Sequence, residues 1–77
     1  MNKPIFYHAG CTVCVGAENE IISLLGHQNV EVVHIGKDRS RIAEAEDAGV
    51  KSVPALVTTS GSVLHINFGA TIDQLKG

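Results

Sequence analysis

The amino-acid sequence predicts an α/β fold in which a mixed four-stranded sheet has helices on both faces. Two observations carry this prediction. Short apolar runs alternate with segments of helical period in the first two thirds of the chain, and two extended runs joined by a tight turn follow. The predicted order is therefore β-α-β-α-β-β-α. We expect a single domain over residues 1–77, because no linker or repeat interrupts this order.

The first half of the chain predicts a β-α-β unit. The run KPIFYH (3–8) has a proline only near its start and is typical of a buried strand. A helical pattern follows, whose apolar residues recur at spacings of three and four and indicate one buried face: Cys14, Ala17, Ile21, Leu24 and Leu25. Gly26 suits the left-handed position just past a helix end. The β-branched run NVEVVHI (29–35) is the second strand, which we expect to be parallel to the first.

The next segment, GKDRSRIAEAEDAG (36–49), predicts a second helix. Asp38 or Ser40 is the expected N-cap, and Gly49 marks the end of the helix.

The last third predicts a hairpin and a short helix. VPALVTT (53–59) and SVLHINF (62–68) are extended runs joined near Ser60-Gly61. Leu64, Ile66 and Phe68 alternate with His65 and Asn67, which predicts a strand with one buried face. Thr71 and Gln74 form a capping box that starts a final helix running through Leu75.

Composition narrows the classes of function. The net charge is −2, from six basic and eight acidic side chains scattered along the chain, so neither nucleic acid nor an anionic membrane is expected as a partner. No apolar run is long enough for a signal peptide or a membrane span, which predicts a cytoplasmic protein. Because structural disulfides are rare in that compartment, the two cysteines indicate a reactive or metal-binding pair.

These cysteines, Cys11 and Cys14, form a C-x-x-C motif between the first strand and the first helix. In open α/β sheets, functional sites lie at the carboxyl ends of the strands, which is where this motif falls. The free N–H groups and the dipole of the helix stabilise a thiolate at Cys11, and thiolate is the form that attacks disulfides. Cys14 lies one turn further on, toward the core and near enough to close a disulfide. The spacing thus predicts an exposed, activated sulfur with a second sulfur behind it.

Two segments together resemble the thioredoxin/glutaredoxin superfamily: the C-x-x-C beside a β-α-β pattern, and the segment AGVKSVPALVTTSGSVLHINFGATIDQL (48–75). The resemblance implies a thiol-disulfide oxidoreductase without a cofactor or metal of its own. It would reduce disulfides of proteins, or mixed disulfides with glutathione, through catalytic Cys11 and Cys14. Electrons would come from glutathione or from a flavoenzyme of the thioredoxin reductase type.

The resemblance also implies a substrate-binding surface. Val53-Pro54 corresponds to the family's cis-proline site, where the residue before the proline offers backbone hydrogen bonds. The other substrate-binding residues implied are Thr12 and Val13 between the cysteines, and Gly69. The chain departs from thioredoxins in lacking tryptophan, and from the double glycine of glutaredoxins at Gly69-Ala70.

The alternative is a soft-metal chaperone that binds copper, mercury or zinc, since such domains also place C-x-x-C before their first helix. Ala9, where those domains carry methionine, and the helical segment after the second strand argue against it. His8-x-x-Cys11-x-x-Cys14 would offer zinc three ligands, whereas a structural site needs four.

Two further hypotheses concern His8 and self-association. His8 is either an ordinary polar residue at a strand end or a cation that lowers the pKa of Cys11. A chain this short gains stability by pairing, and Ala9 and Val13 would form an apolar patch for a partner, so a homodimer is a further hypothesis.

Overall fold

The structure, a computed structural model, describes residues 3–10 and 12–76, with the backbone alone at residues 67 and 68. The described part of the chain forms four strands and three α-helices in the predicted order: β1 (Ile5–His8), α1 (Thr12–Leu25), β2 (Glu31–His34), α2 (Ile42–Asp47), β3 (Ser52–Val57), β4 (Val63–Thr71) and α3 (Ile72–Lys76). In these residues, no helix has the length and apolar character needed to cross a membrane.

The sheet is mixed, as the sequence predicts, and its strands lie in the order β2-β1-β3-β4. β1 and β2 are parallel, with Tyr7 beside Val33. β1 pairs antiparallel with β3, and β3 pairs antiparallel with β4. β2 and β4 are therefore the edge strands, and among the strands the two central ones carry most of the buried side chains.

The sheet divides the core into two clusters, because successive side chains of a strand point to opposite faces. The larger cluster joins Tyr7, Val33 and Ala55 of the sheet to Ile42 of α2 and Ile72 of α3. The smaller cluster lies under α1; its members are Phe6, Ala17, Val30 and Leu56, with Ile21, Ile22, Leu25 and Ile66 packed against them. The prediction of helices on both faces is confirmed, with α1 on one face and α2 and α3 on the other.

The predicted capping box is confirmed, whereas the predicted N-cap of the second helix is wrong. Thr71 N–H donates to Gln74 Oε1 at 2.9 Å, and Gln74 N–H donates to Thr71 Oγ1 at 3.1 Å. Before α2 the chain makes a 3₁₀ turn, and the residue that precedes the helix is Arg41, which makes no side-chain cap. Ser40 instead donates its hydroxyl to Asp38, so the two expected caps bind each other.

Two apolar residues that the sequence patterns place in the core are exposed. Leu24 of α1 is 80% exposed and Leu64 of β4 is 51% exposed, and Ile66 is only partly buried. Phe68, the third member of that strand pattern, has a side chain outside the described residues. α1 packs against β1, β3 and β4, but it does not bury Leu64.

A cluster of polar side chains connects β1 to α2, on the face of the sheet that carries the larger core cluster. The buried Tyr7 donates its hydroxyl to Glu44 Oε2 at 2.6 Å, and Arg41 donates to the same carboxylate at 2.7 Å and to Glu31 at 3.1 Å. Burial raises the pKa of Tyr7 above its usual value, with the Glu44 hydrogen bond adding to the effect. The hydrogen bonds from Arg41 lower the pKa of Glu44.

Candidate active site

The C-x-x-C motif is described in the structure from Thr12 onward, and Cys11 lies outside the described residues. α1 begins at Thr12, directly after Cys11 in the sequence. Thr12 is exposed and Val13 is 38% exposed, whereas Cys14 is fully buried in the larger core cluster, as predicted. In the first turn of α1, the two residues between the cysteines, Thr12 and Val13, therefore face solvent, and Cys14 faces the core.

The Val53–Pro54 segment lies against the same cluster. Its peptide bond is cis, and both side chains are fully buried. Val53 and Cys14 belong to one core cluster, so the start of β3 meets the first turn of α1. The pairing of β3 with β4 shifts register next to Pro54, which has no N–H to donate to the ladder. Gly69 precedes Ala70, the β4 partner of Val53, and so lies beside this segment.

A pair of histidines holds the turns at this edge of the sheet. His8 and His34 are register partners at the ends of the parallel strands, with ring centroids 4.4 Å apart. His8 Nδ1 accepts the backbone N–H of Gly10 at 3.2 Å, and His34 Nδ1 accepts that of Lys37 at 3.1 Å. Each imidazole thus fixes the turn that follows its own strand, and His8 fixes the turn that leads into the cysteine motif.

The surroundings of His8 favour its neutral form. Its side chain is buried, and Nε2 lies 3.5 Å from Glu18 Oε1 of α1. Burial is the largest influence and lowers the pKa; His34 and Lys37 lower it further, and Glu18 opposes them. A neutral His8 at pH 7 gives no support to the hypothesis of a cation that lowers the pKa of Cys11. The structure gives His8 a hydrogen-bonding role instead.

Gly10 is required by this packing. Its φ is +82°, and a Cβ at this position would lie 2.6 Å from His34 Nε2, well inside van der Waals contact. From the sequence, His34 looks like an ordinary strand-end residue and Gly10 like a loop residue. The sequence does place a histidine at the same end of each parallel strand. The contact between the two histidines can be predicted only once the strand register is known.

The strand order, the cysteine motif at the start of α1 and the Val53–Pro54 segment define a thioredoxin-like α/β protein. In a comparison with solved structures, the chain is similar to a dimeric thioredoxin-like protein from Nitrosomonas europea, determined by solution NMR. The two share 61% identity over 97% of this chain and 95% of that chain, with a TM-score of 0.87. The chain belongs to the thioredoxin-like family. No protein-family model and no curated protein matches the sequence.

Proposed function

We propose that this protein is a thiol-disulfide oxidoreductase that acts in the cytoplasm as one domain over residues 1–77. It reduces disulfides of proteins, or mixed disulfides with glutathione, through Cys11 and Cys14. The observation that carries the proposal is the position of Cys14, buried in the first turn of α1 and in one cluster with Val53. A sulfur in that place is shielded from external targets and is suited to react with its neighbour in the motif.

The proposed reaction has two exchange steps. The Cys11 thiolate attacks one sulfur of the target disulfide; the S–S bond breaks, and the other target sulfur leaves as a thiolate that takes up a proton. Cys14 then loses its proton and attacks the Cys11 sulfur, so that a Cys11–Cys14 disulfide forms and the second target thiol leaves. Two electrons pass to the target. Glutathione or a flavoenzyme of the thioredoxin reductase type returns them and restores the dithiol.

The residues around the motif have supporting roles in this proposal. Thr12 and Val13 contact the target from the exposed side of α1, and Val53, Pro54 and Gly69 bind it from the β3–β4 side. His8 acts by holding the Gly10 N–H, and so positions the turn that leads to Cys11. The reactivity of Cys11 comes from the helix that begins at the next residue.

The central experiment separates the roles of the two cysteines. Cys14→Ser should stall after the first step and accumulate a mixed disulfide with insulin, whereas Cys11→Ser should form none. In alkylation of the reduced protein, Cys11 should react well below pH 8.5, the pKa of a free thiol. Faster alkylation of Cys14 would reverse the assignment.

The same variants distinguish the soft-metal alternative. A copper or zinc chaperone would trap no target in either variant and would lose metal affinity in both. Insulin reduction by the wild type, assayed once with glutathione and once with a thioredoxin reductase system, identifies the electron donor. Turnover with neither donor would contradict the proposed activity.

We propose, in addition, that the protein is a homodimer. The thioredoxin-like protein from Nitrosomonas europea is described as dimeric, and it is 61% identical to this chain over 97% of its length. A small domain buries a limited share of its own surface and gains stability by pairing. Sedimentation velocity over a range of concentrations tests this, and a monomer at the highest concentration would refute it.

A further inference from the structure

Two turns lie side by side at the edge of the sheet where the cysteine motif begins. The motif turn, residues 8–10, follows β1 and leads directly into that motif. The support turn, residues 34–37, follows β2. Because β1 and β2 are parallel, both turns leave the sheet at the same edge, with His8 beside His34. The Ile35 N–H donates to the His8 carbonyl at 2.8 Å, so the pairing of the two strands continues into the start of the support turn.

The support turn is fixed by hydrogen bonds of its own. The Lys37 N–H lies 3.1 Å from the carbonyl oxygen of His34 and 3.1 Å from its Nδ1. The Asp38 N–H donates to the same carbonyl at 2.9 Å. The bond to Nδ1 sets the orientation of the imidazole, because turning the ring would leave the Lys37 N–H with one acceptor fewer. The ring of His34 is therefore held in place by the turn to which it belongs.

The motif turn packs against this ring and against the support turn. A Cβ on Gly10 would lie 2.6 Å from His34 Nε2 and 3.0 Å from Cε1, so the Gly10 backbone lies directly against the imidazole. A Cβ on Gly36 would lie 2.8 Å from the Ala9 carbonyl oxygen, which is a second close approach between the turns. The ring of His8 completes the contact, with its centroid 4.4 Å from that of His34. The motif turn therefore cannot shift toward β2 unless the support turn moves too.

We propose that His34 is a positioning residue for thiol exchange, because its imidazole, held by the support turn, fixes the Gly10 backbone and thereby the position of Cys11 relative to α1. This inference rests on the thiol-disulfide activity proposed above. A helix terminus stabilises a charge only within about one turn. A displaced motif turn would therefore leave Cys11 with less thiolate at neutral pH. His34 makes and breaks no bond in the reaction, and acts through Gly10 and His8.

The first test variant is His34→Asn. It removes the ring and keeps a side-chain oxygen that can accept the Lys37 N–H, so the support turn keeps its form. The matched control is His27→Asn, at an exposed histidine of the 3₁₀ turn His27–Asn29, which precedes the start of β2. The measurement is the rate at which iodoacetamide alkylates Cys11 in the reduced protein, with the modified residue identified by mass spectrometry.

The expected result depends on pH. At about pH 6.5, His34→Asn should be alkylated roughly two- to fivefold more slowly than the wild type, the range for a charge at a helix terminus. At about pH 9.5 the rates should come together, because a thiol is then mostly ionised with or without help from the helix. His27→Asn should match the wild type at both pH values. A variant that merely hid Cys11 from the reagent would be slower at both.

Two further variants test the contacts themselves. Gly10→Ala places a methyl group where the His34 ring lies, and His34→Asn makes room for it. Gly10→Ala should therefore slow alkylation less in the His34→Asn background than in the wild type, a coupling that only neighbouring residues show. Gly36→Ala places a methyl group against the Ala9 carbonyl, and it too should slow alkylation at the lower pH.

The proposal is overturned if His34→Asn is alkylated at the wild-type rate at the lower pH, if it is slowed equally at both pH values, or if its effect and that of Gly10→Ala are additive. Circular dichroism checks the fold; if His34→Asn or Gly36→Ala does not fold, the other variant decides. Insulin reduction is measured alongside. A wild type that is alkylated as expected and reduces no insulin would refute the oxidoreductase activity and leave the positioning role standing.

Discussion

Replacing Gly10 by alanine tests whether the packing of the turn before the cysteine motif is as tight as the structure indicates. The new methyl group would lie 2.6 Å from His34 Nε2 and 3.0 Å from Cε1. An alanine held at a φ of +82° costs about 1–2 kcal/mol. Moving the His34 ring aside sacrifices its hydrogen bond from the Lys37 N–H, worth about 1 kcal/mol. The expected loss in the free energy of unfolding is therefore about 2–3 kcal/mol.

Such a loss is large for a domain of this size, whose total stability is expected to be roughly 4–12 kcal/mol. The matched control is Gly16→Ala, within α1, where a Cβ meets no heavy atom within 4 Å. That change should stabilise the protein by about 0.5–1 kcal/mol, because alanine is the better helix former.

Equilibrium unfolding in urea, followed by circular dichroism, measures both variants. Insulin reduction by Gly10→Ala should also fall, since the displaced turn leads directly into Cys11. The reasoning fails if Gly10→Ala unfolds at the same urea concentration as the wild type, or if Gly16→Ala loses as much stability as Gly10→Ala.

Three further predictions concern the polar residues. Tyr7→Phe removes the hydrogen bond to Glu44 and should cost about 1–1.5 kcal/mol, seen as a fall in Tm of roughly 4–12 °C; an unchanged Tm would contradict this. The lowered pKa of folded His8 means that the unfolded chain binds the proton first, so stability should be complete above about pH 6.5 and fall as the pH drops through the folded pKa. His8→Gln should flatten this dependence in urea midpoints measured from pH 7.5 to 5, and an equally steep profile would exclude His8. The pKa of Glu44 is also lowered, so its contribution should be lost below about pH 4.5 as the carboxylate is protonated, and Glu44→Gln should remove that part of the acid transition.

The order of elements and the strand directions were predictable because each depends on local pattern. The β-branched run before His34, the capping box of Thr71 and Gln74 and the crossover between parallel strands all follow from short stretches of chain. The inward position of Cys14 followed from helical spacing in the same way. The N-cap of α2 was missed because Asp38 and Ser40 bond to each other, a choice that the sequence leaves open.

The features that were missed depend on register or on a partner. His8 and His34 are 26 residues apart in the sequence, and only the pairing of β1 with β2 reveals their contact. The patterns around Leu24 and Leu64 predict buried side chains, and the structure shows both side chains exposed. The spacing of apolar residues along a helix or strand indicates which face is apolar. It does not indicate whether that face is covered in the folded chain.

The unequal division of the core has a consequence for the thiols. Among the described residues, four buried side chains form the cluster under α1, against twelve in the cluster on the other face. Detaching α1 exposes less apolar area than opening the sheet. The local unfolding of α1 is therefore expected to have the lower free energy. Such an opening carries Cys14 into solvent. The rate at which an alkylating agent modifies Cys14 is then set by how often α1 opens, and not by the reactivity of the thiol alone.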